Sequence, residues 1–383
     1  MILALFTVKR FIVVDNRSYT YGGFGKSTIS YLDYCDKLIV YGHVEFKDKI
    51  PNGWYVFEHP NMEIRSLLPS KNLIYQNLGF IVDYFRIIKN KPDFDIAECR
   101  VPDFSGVVGA LYCKKYSIPY YVQIVADWRI EGQKTPITKK YGLGLLLKIF
   151  YFLYEYFEKK ICIDALVFAQ GKSSFERYKN LARNCLEYAS TTIEIKDIGI
   201  AKRLNNNEVK ILHVARLTGV KNQLFIINFA KYMIDNNINN FTIDIVGDGP
   251  LENELRTKAR SLNLEKYIKF LGRIEPGIQL DNVYLNADLF ILSSHSEGTP
   301  KVLVEAMSKG LPILTSNVGG VSTLVSEKEG YLYTADRLDD CLVGYKKCIQ
   351  NYENLSKNAI LKASNFTFEN LNKIKFDIIK EIL

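Results

Sequence analysis

The chain has 383 residues, 48% hydrophobic and 24% charged, an ordinary globular balance and enough length to fill two domain cores. Its formal charge of +8 fits either an anionic partner (a phosphate ligand, an anionic membrane surface or nucleic acid) or a lysine-rich solvated surface. Seven cysteines with no Cys-x-x-Cys pair and four scattered histidines argue against a disulfide scaffold and a zinc site, and imply reduced thiols in a cytosolic compartment.

Met1-Ile-Leu-Ala-Leu-Phe-Thr-Val is apolar but short, with no basic stretch before it and no small-residue cleavage site after it. It is expected to be a buried first strand rather than a signal peptide. Tyr21-Gly22-Gly23-Phe24-Gly25-Lys26-Ser27 ends like a P-loop, but Thr20 stands where that motif needs its first glycine. Thr28 likewise fills the third glycine position of a dinucleotide fingerprint. What remains at Gly22 and Gly23 is a turn heading into a helix, either a phosphate-holding loop or a plain tight turn. Strands are predicted at Lys37–Tyr41, Ile96–Glu98, Tyr120–Val125 and Asp164–Ala169, with a helix over Phe104–Tyr116. Leu143 to Cys162 is an aromatic, apolar helix interrupted by Lys148, Glu155 and Glu158, so it lacks the roughly 18–20 uncharged residues of a membrane span. It reads first as a buried helix; a helix seated in a membrane interface is the other reading, because tyrosines and lysines flank its apolar surface.

Residues 186–208 are polar and mark a domain boundary. Beyond them the alternation restarts: strands at Val209–Ala215, Phe241–Val246, Ile268–Leu271, Asp288–Ser293, Pro312–Thr315 and Tyr331–Tyr333. Helices are predicted over Asn222–Asn236, Leu251–Leu262, Gln279–Asn286 and Pro300–Lys309. The last segment, Phe366–Leu383, is helical, with apolar residues at Leu371, Ile374, Phe376, Ile378 and Ile379. The expected class is α/β: two Rossmann-like domains, 1–190 and 191–365, facing across a cleft, with 366–383 as a closing helix. Ligands in such sheets sit at the carboxyl ends of the strands, which makes the cleft the expected site.

Two constellations carry chemistry. Ser296-Glu297-Gly298-Thr299-Pro300-Lys301-Val302-Leu303-Val304-Glu305 follows a buried strand and opens a helix, with Thr299 suited to the N-cap and Pro300 to the first turn. Glu305 falls about 80° round the helix from a residue eight positions earlier, so both carboxylates can serve one region beside the helix N-terminus. That end offers amides and partial positive charge to an anion, while the carboxylates can accept hydrogen bonds from sugar hydroxyls. His213-Val-Ala-Arg216-Leu-Thr-Gly-Val-Lys221-Asn222 is again a strand-to-helix loop, and Arg216 and Lys221 can supply a diphosphate with positive charge.

Together these segments resemble glycosyltransferase family four, the retaining GT-B enzymes with an E-x7-E motif. Glu297 and Glu305 take its two glutamates, Arg216 and Lys221 its diphosphate clamp, and Val246-Gly-Asp-Gly-Pro its donor-domain turn. Phe270-Leu-Gly-Arg-Ile and Asn317-Val-Gly-Gly-Val also match, and the resemblance is dense from about Lys210 to Leu332. It implies that Glu297 holds donor-sugar hydroxyls, Glu305 the ribose, and backbone around Arg273 and Ile274 the base. Amides of the Gly298, Thr299, Pro300, Lys301 turn would join Arg216 and Lys221 in stabilising the departing diphosphate. The resemblance further implies that the final helix crosses back onto the N-terminal domain, and that neither metal nor other cofactor is required. Departures are visible. The strand end where family members carry a histidine reads Val122-Gln-Ile-Val-Ala-Asp127-Trp128, leaving Asp127 either to orient acceptor or donor sugar or to cap the next segment. Pro300 replaces a usual glycine, and Ser322 and Thr323 replace a glutamate often found soon after the Gly319-Gly320 pair.

The expected function is a metal-independent hexosyltransferase using a UDP- or GDP-linked sugar. The acceptor is expected to be a lipid-linked glycan in bacterial O-antigen or capsule synthesis, at the inner face of the cytoplasmic membrane. A nucleotide-sugar 2-epimerase shares the fold and stands as the alternative. A nonenzymatic membrane- or nucleic-acid-binding protein would show binding that collapses with salt and no need of Glu297.

Overall fold

The computed structural model describes the chain except residues 68–72, 103, 126–143, 164, 205–207 and 383 and, within two helices, the side chains of 73–78, 80 and 144–151. The chain divides into two compact units, Met1–Tyr188 with Asn372–Leu383, and Ala189–Leu371. The first boundary follows β-strand Asn184–Tyr188 and the second falls inside the last helix, Phe368–Ile382.

The first unit is built on strands β1 (Ile2–Val14), β2 (Arg17–Tyr21), β3 (Lys37–Phe46), β4 (Trp54–Val56), β5 (Met62–Leu67), β6 (Ile96–Val101), β7 (Tyr120–Ile124), β8 (Leu166–Gln170) and β9 (Asn184–Tyr188). Seven of them run parallel in the order β5-β3-β1-β6-β7-β8-β9. β1 outruns the short strand expected at Met1–Val8. Its register on β3 shifts between Phe6 and Arg10, and it then enters an antiparallel hairpin with β2. Asp15 and Asn16 make that turn with φ of 49° and 61°, the left-handed pair a tight hairpin needs.

Side chains of this sheet alternate between two cores. Ala97, Cys99 and Val101 of β6 pack under the helices Leu73–Ile87, Phe104–Tyr116 and Gly144–Cys162. On the opposite face Leu3, Leu5, Tyr121 and Phe168 meet Tyr31, Phe376 and Ile379. The last helix is therefore sided differently from the simple apolar list: Phe376 and Ile379 are buried, but Ile374 is 55% exposed and Lys375 is wholly buried.

The second unit has six parallel strands, β10 (Val209–Val214), β11 (Phe241–Val246), β12 (Ile268–Gly272), β13 (Leu289–Leu292), β14 (Ile313–Ser316) and β15 (Gly330–Tyr333). Their order, β12-β11-β10-β13-β14-β15, is the doubly wound one. Leu289 and Ile291 point into one core and Phe290 and Leu292 into the other, which is why β13 reads as an unbroken apolar run. Helices Gln223–Asp235, Glu252–Ser261 and Leu338–Gln350 cover the first face. Helices Ile278–Asn286, Lys301–Ser308 and Tyr352–Ser364 cover the second.

Candidate active site

β10 and β13 are neighbours from which the chain winds outward in opposite directions, to β11 and to β14. The loops leaving their carboxyl ends must part there, and the crevice between such loops is where doubly wound sheets bind ligands. Both chemical constellations start at this point, residues 215–222 after β10 and 293–300 after β13.

The two loops are laced together. His295 N–H donates to the Val220 carbonyl at 2.8 Å, and Ser293 Oγ donates to the carbonyls of Lys221 and Asn222 at 3.0 and 2.9 Å. Glu297 Oε1 accepts from Lys221 Nζ at 2.6 Å and from Ser294 Oγ at 2.5 Å, with the glutamate side chain only 7% exposed. Its Oε2 has no protein partner among the described residues. Lys221 and Glu297, given separate tasks by resemblance, are thus an ion pair here.

Glycines let neighbouring loops press against these two. A Cβ on Gly319 would stand 1.9 Å from the Glu297 carbonyl oxygen, and one on Gly320 2.0 Å from that of Gly298. The Val246-Gly-Asp-Gly-Pro turn does the same for the other loop, since a Cβ on Gly247 would meet the Ala215 carbonyl oxygen at 2.0 Å. Leu217 N–H closes that contact onto the Asp248 carbonyl at 2.8 Å.

Beneath Arg216 lies a buried relay. His213 Nδ1 is 2.9 Å from the Ile291 carbonyl and Nε2 is 3.2 Å from Gln223 Nε2, whose amide also donates to the Arg216 carbonyl at 2.9 Å. Burial drives the His213 imidazole down to about 4, against the help of the Ile291 carbonyl and with repulsion from Lys221. The ring is therefore neutral, donating at Nδ1 and accepting at Nε2. The relay fixes the backbone of Arg216, whose side chain is exposed and has no ion-pair partner among the described residues.

Glu305 is held by two hydroxyls: Thr192 Oγ1 donates to Oε1 at 2.6 Å and Tyr284 OH to Oε2 at 2.9 Å. Burial, reinforced by Glu305, pushes the Tyr284 phenol far above its ordinary range, so the hydroxyl stays a donor. The carboxylates of Glu297 and Glu305 have no hydrogen-bond partner in common. Between them the helix begins at Lys301 with Pro300 as its cap, one residue later than expected. Thr299 is not the cap, because Pro300 stays extended (ψ 108°) and its carbonyl takes the Leu303 amide at 3.1 Å. Gly298 is exposed and Thr299 half-buried on that turn.

Arg273 and Ile274 follow β12, which Gly247 N–H ties in through the Gly272 carbonyl at 2.8 Å. Arg273 is exposed and paired with Glu275 at 2.8 Å, while Ile274 packs on the second core. Asp127 lies outside the described residues. In the first unit Gly22 takes a left-handed φ of 69° and Gly23 precedes a six-residue helix, Phe24–Ile29. Tyr55 OH donates to the Gly22 carbonyl and accepts from Gly25 N–H at 3.1 Å, so one loop amide is already engaged.

Sequence reasoning did not find Ser294, Thr192, Tyr284, Gln223 or Tyr55. Thr192, Tyr284 and Tyr55 come to their partners from a distant linker, helix or strand. Ser294 and Gln223 carried a local signal, the one on the loop of Glu297 and the other directly after the basic loop. Among the described residues no three His, Cys, Asp or Glu side chains gather as metal ligands, and no helix is long and apolar enough to cross a membrane.

Two Rossmann-like sheets, with the motif loops at the switch point of the second, are the architecture of the GT-B glycosyltransferase fold. Residues 195–364, somewhat under half of the chain, match the model of the family Glycosyl transferases group 1. Protein CapJ of Staphylococcus aureus is 26% identical over 95% of this chain and 90% of its own. The UDP-Gal:alpha-D-GlcNAc-diphosphoundecaprenol alpha-1,3-galactosyltransferase of Escherichia coli is 27% identical, over 70% of this chain and 69% of its own. Among solved structures, Anabaena HepE in complex with UDP aligns over 99% of each chain with a TM-score of 0.68 at 18% identity, a likeness of fold.

Proposed function

We propose that this glycosyltransferase is a retaining, metal-independent hexosyltransferase. It takes a sugar from a UDP- or GDP-linked donor and passes it to a lipid-linked oligosaccharide of a bacterial surface polysaccharide such as O-antigen or capsule. The observation that carries the donor half is the switch-point cluster: the Glu297 carboxylate bonded to Lys221 at 2.6 Å, with the exposed Arg216 on the same loop as Lys221. Arg216, Lys221 and the amides of the Gly298–Lys301 turn receive the diphosphate, Glu305 the ribose, and the backbone at Arg273 and Ile274 the base. As the bond from the anomeric carbon to the phosphate oxygen breaks, negative charge grows on the departing diphosphate, and fixed cations stabilise it most at that moment. Glu297, already held by Lys221 and Ser294, turns its other oxygen to hydroxyls of the transferred sugar. Retention places the acceptor on the face the diphosphate leaves. The roles carried over from the resemblance give Asp127 the orienting of sugar or acceptor and the Gly22-Gly23 loop the support of acceptor binding.

The acceptor half is supported by the E. coli relative, whose name specifies a diphosphoundecaprenol-linked sugar. An acceptor of that kind places the enzyme at the inner face of the cytoplasmic membrane. The test is release of nucleoside diphosphate from a panel of nucleotide-sugars by the wild type and Glu297→Ala, in EDTA. Release from one donor that survives EDTA and drops at least about a hundredfold in the variant is expected. Activity equal in the two proteins would sink the assignment of Glu297, and activity lost in EDTA the metal-independence. The anomeric configuration of the product, read by NMR, decides retention.

A further inference from the structure

We infer that the helical face of the first unit docks on an anionic lipid bilayer, through two apolar stripes that each run into lysines. The inference deepens the proposal of a lipid-linked acceptor and rests on it for its purpose, though not for its geometry. Helices Leu73–Ile87, Phe104–Tyr116 and Gly144–Cys162 each connect consecutive parallel strands, so they run parallel and bring their carboxyl ends to one end of the unit. The middle helix is enclosed by the other two. Phe104 meets Tyr154 edge to face at 5.0 Å, Tyr116 OH donates to the Ile88 carbonyl at 2.7 Å, and Lys114 Nζ donates to the Lys160 carbonyl at 2.8 Å.

The outer two helices turn unusual faces to solvent. On Gly144–Cys162, Tyr154, Glu158, Ile161 and Cys162 are buried, but Phe152 is 71% exposed and Leu153 and Tyr156 are exposed beside it. The spacing 152, 153, 156, 159, 160 is one helical face, and its last two members are the exposed Lys159 and Lys160. The other outer helix repeats the arrangement. Ile81, Val82 and Phe85, the last 58% exposed, lead down one face to Arg86 and Lys89. Lys114 and Lys115, exposed at the end of the middle helix, join the two basic ends into one rim.

A water-facing helix carries polar groups where these carry phenylalanine, leucine and isoleucine. A protein partner could cover the apolar residues. The cationic rim continuing the same stripes is the complement of a surface that is apolar within and anionic at its edge, which an anionic bilayer supplies. Two such stripes flanking one helix lie about 20 Å apart, which would seat the unit on the membrane by a face rather than a point.

The test is sedimentation of the full chain with phosphatidylglycerol vesicles and with phosphatidylcholine vesicles, at low and high salt. The variants are Phe85→Ser/Phe152→Ser and Lys159→Glu/Lys160→Glu. Binding to the anionic vesicles alone, weakened by salt and reduced at least about tenfold by either variant, is the expected result. Variants that keep the wild-type thermal shift with UDP and the wild-type hydrolysis of a nucleotide-sugar are folded, and they separate this inference from the catalytic reading. No binding to anionic vesicles, or equal binding by wild type and folded variants, overturns it. So does a wild-type dimer, seen by light scattering, that the serine variant dissolves, since the face would then belong to a second copy.

Discussion

Glu305 accepts from Thr192 at 2.6 Å and from Tyr284 at 2.9 Å, so each oxygen is aimed by a separate hydroxyl. Tyr284 is buried, with its ring stacked 6.0 Å from Phe290, and removing its oxygen leaves the packing in place. If Glu305 binds the ribose, Tyr284→Phe frees one carboxylate oxygen without touching the reacting sugar. The expected outcome is a rise of about fivefold in donor KM with kcat nearly unchanged, and Thr192→Val should act alike. UDP and its 2′,3′-dideoxy analogue, compared by calorimetry, give the sharper readout. The wild type should prefer UDP and the variants should lose most of that preference. An unchanged preference would separate Glu305 from the ribose. Neither residue could have been picked from the chain: Thr192 lies 113 positions from its glutamate and Tyr284 lies 21, on a different helix.

At the scale of elements, two glycine turns press on the two loops that carry the charges. Gly319 has a φ of 53°, and a Cβ there would stand 1.9 Å from a backbone oxygen of Glu297 rather than against a side chain free to swing. Gly319→Ala must therefore shift the glutamate loop, and a shift of about 1 Å costs roughly a hundredfold in turnover. Such a loss of kcat/KM in steady-state kinetics, with UDP binding changed far less, is the expected result; wild-type kinetics would show the loop adapts. This pair was legible in the sequence, as were β10 to β15 and the Glu297 and Arg216 loops, because short buried strands between turn-forming residues leave few alternatives. Other elements gave no such signal. The helices Leu338–Gln350 and Tyr352–Ser364 follow a segment where the strand pattern had ended. β2 and β4 are short, defined by antiparallel pairing, β2 on β1 and β4 on β2, rather than by their own residues.

Across the molecule, the chain ends by returning twelve residues, Asn372–Leu383, to the unit in which it began. Lys375 joins that unit wholly buried, its ammonium 2.7 Å from Tyr31 OH, 2.5 Å from Glu98 Oε2 and 2.7 Å from Gln123 Oε1. Arg100 Nε lies 2.5 Å from the other Glu98 oxygen, and Tyr121 OH also donates to this carboxylate. Burial opposes ionisation of Glu98, but Lys375 and Arg100 together outweigh it and hold the carboxyl down at about 2. A carboxyl lowered on folding contributes stability that is present in full above its ordinary range and is lost as pH falls towards 2. For this residue the amount is roughly 3 kcal/mol. Lys375 sits beside one anion and is repelled by Arg100, and burial brings it to about 8. Its own contribution changes with pH in the same direction, a gain as pH rises beyond 8 towards its ordinary range, because below that the buried ammonium is a penalty. Lys375→Met should destabilise the first unit by about 3–5 kcal/mol, because Glu98 is left buried with half its compensation. The double variant Glu98→Gln/Lys375→Met should recover much of the loss. Both tryptophans, Trp54 and Trp128, belong to the first 188 residues, so urea unfolding followed by tryptophan fluorescence reports that unit alone. Nucleoside diphosphate binding, placed in the second unit by our proposal, should persist in the single variant after the fluorescence transition has moved to lower urea. As pH falls from 4.5 towards 2 the wild type loses the Glu98 contribution and the variant, already without it, does not, so the gap between their urea transitions should narrow in acid. A gap that stays constant between neutral and acid pH would mean that the Glu98 carboxyl does not depend on Lys375.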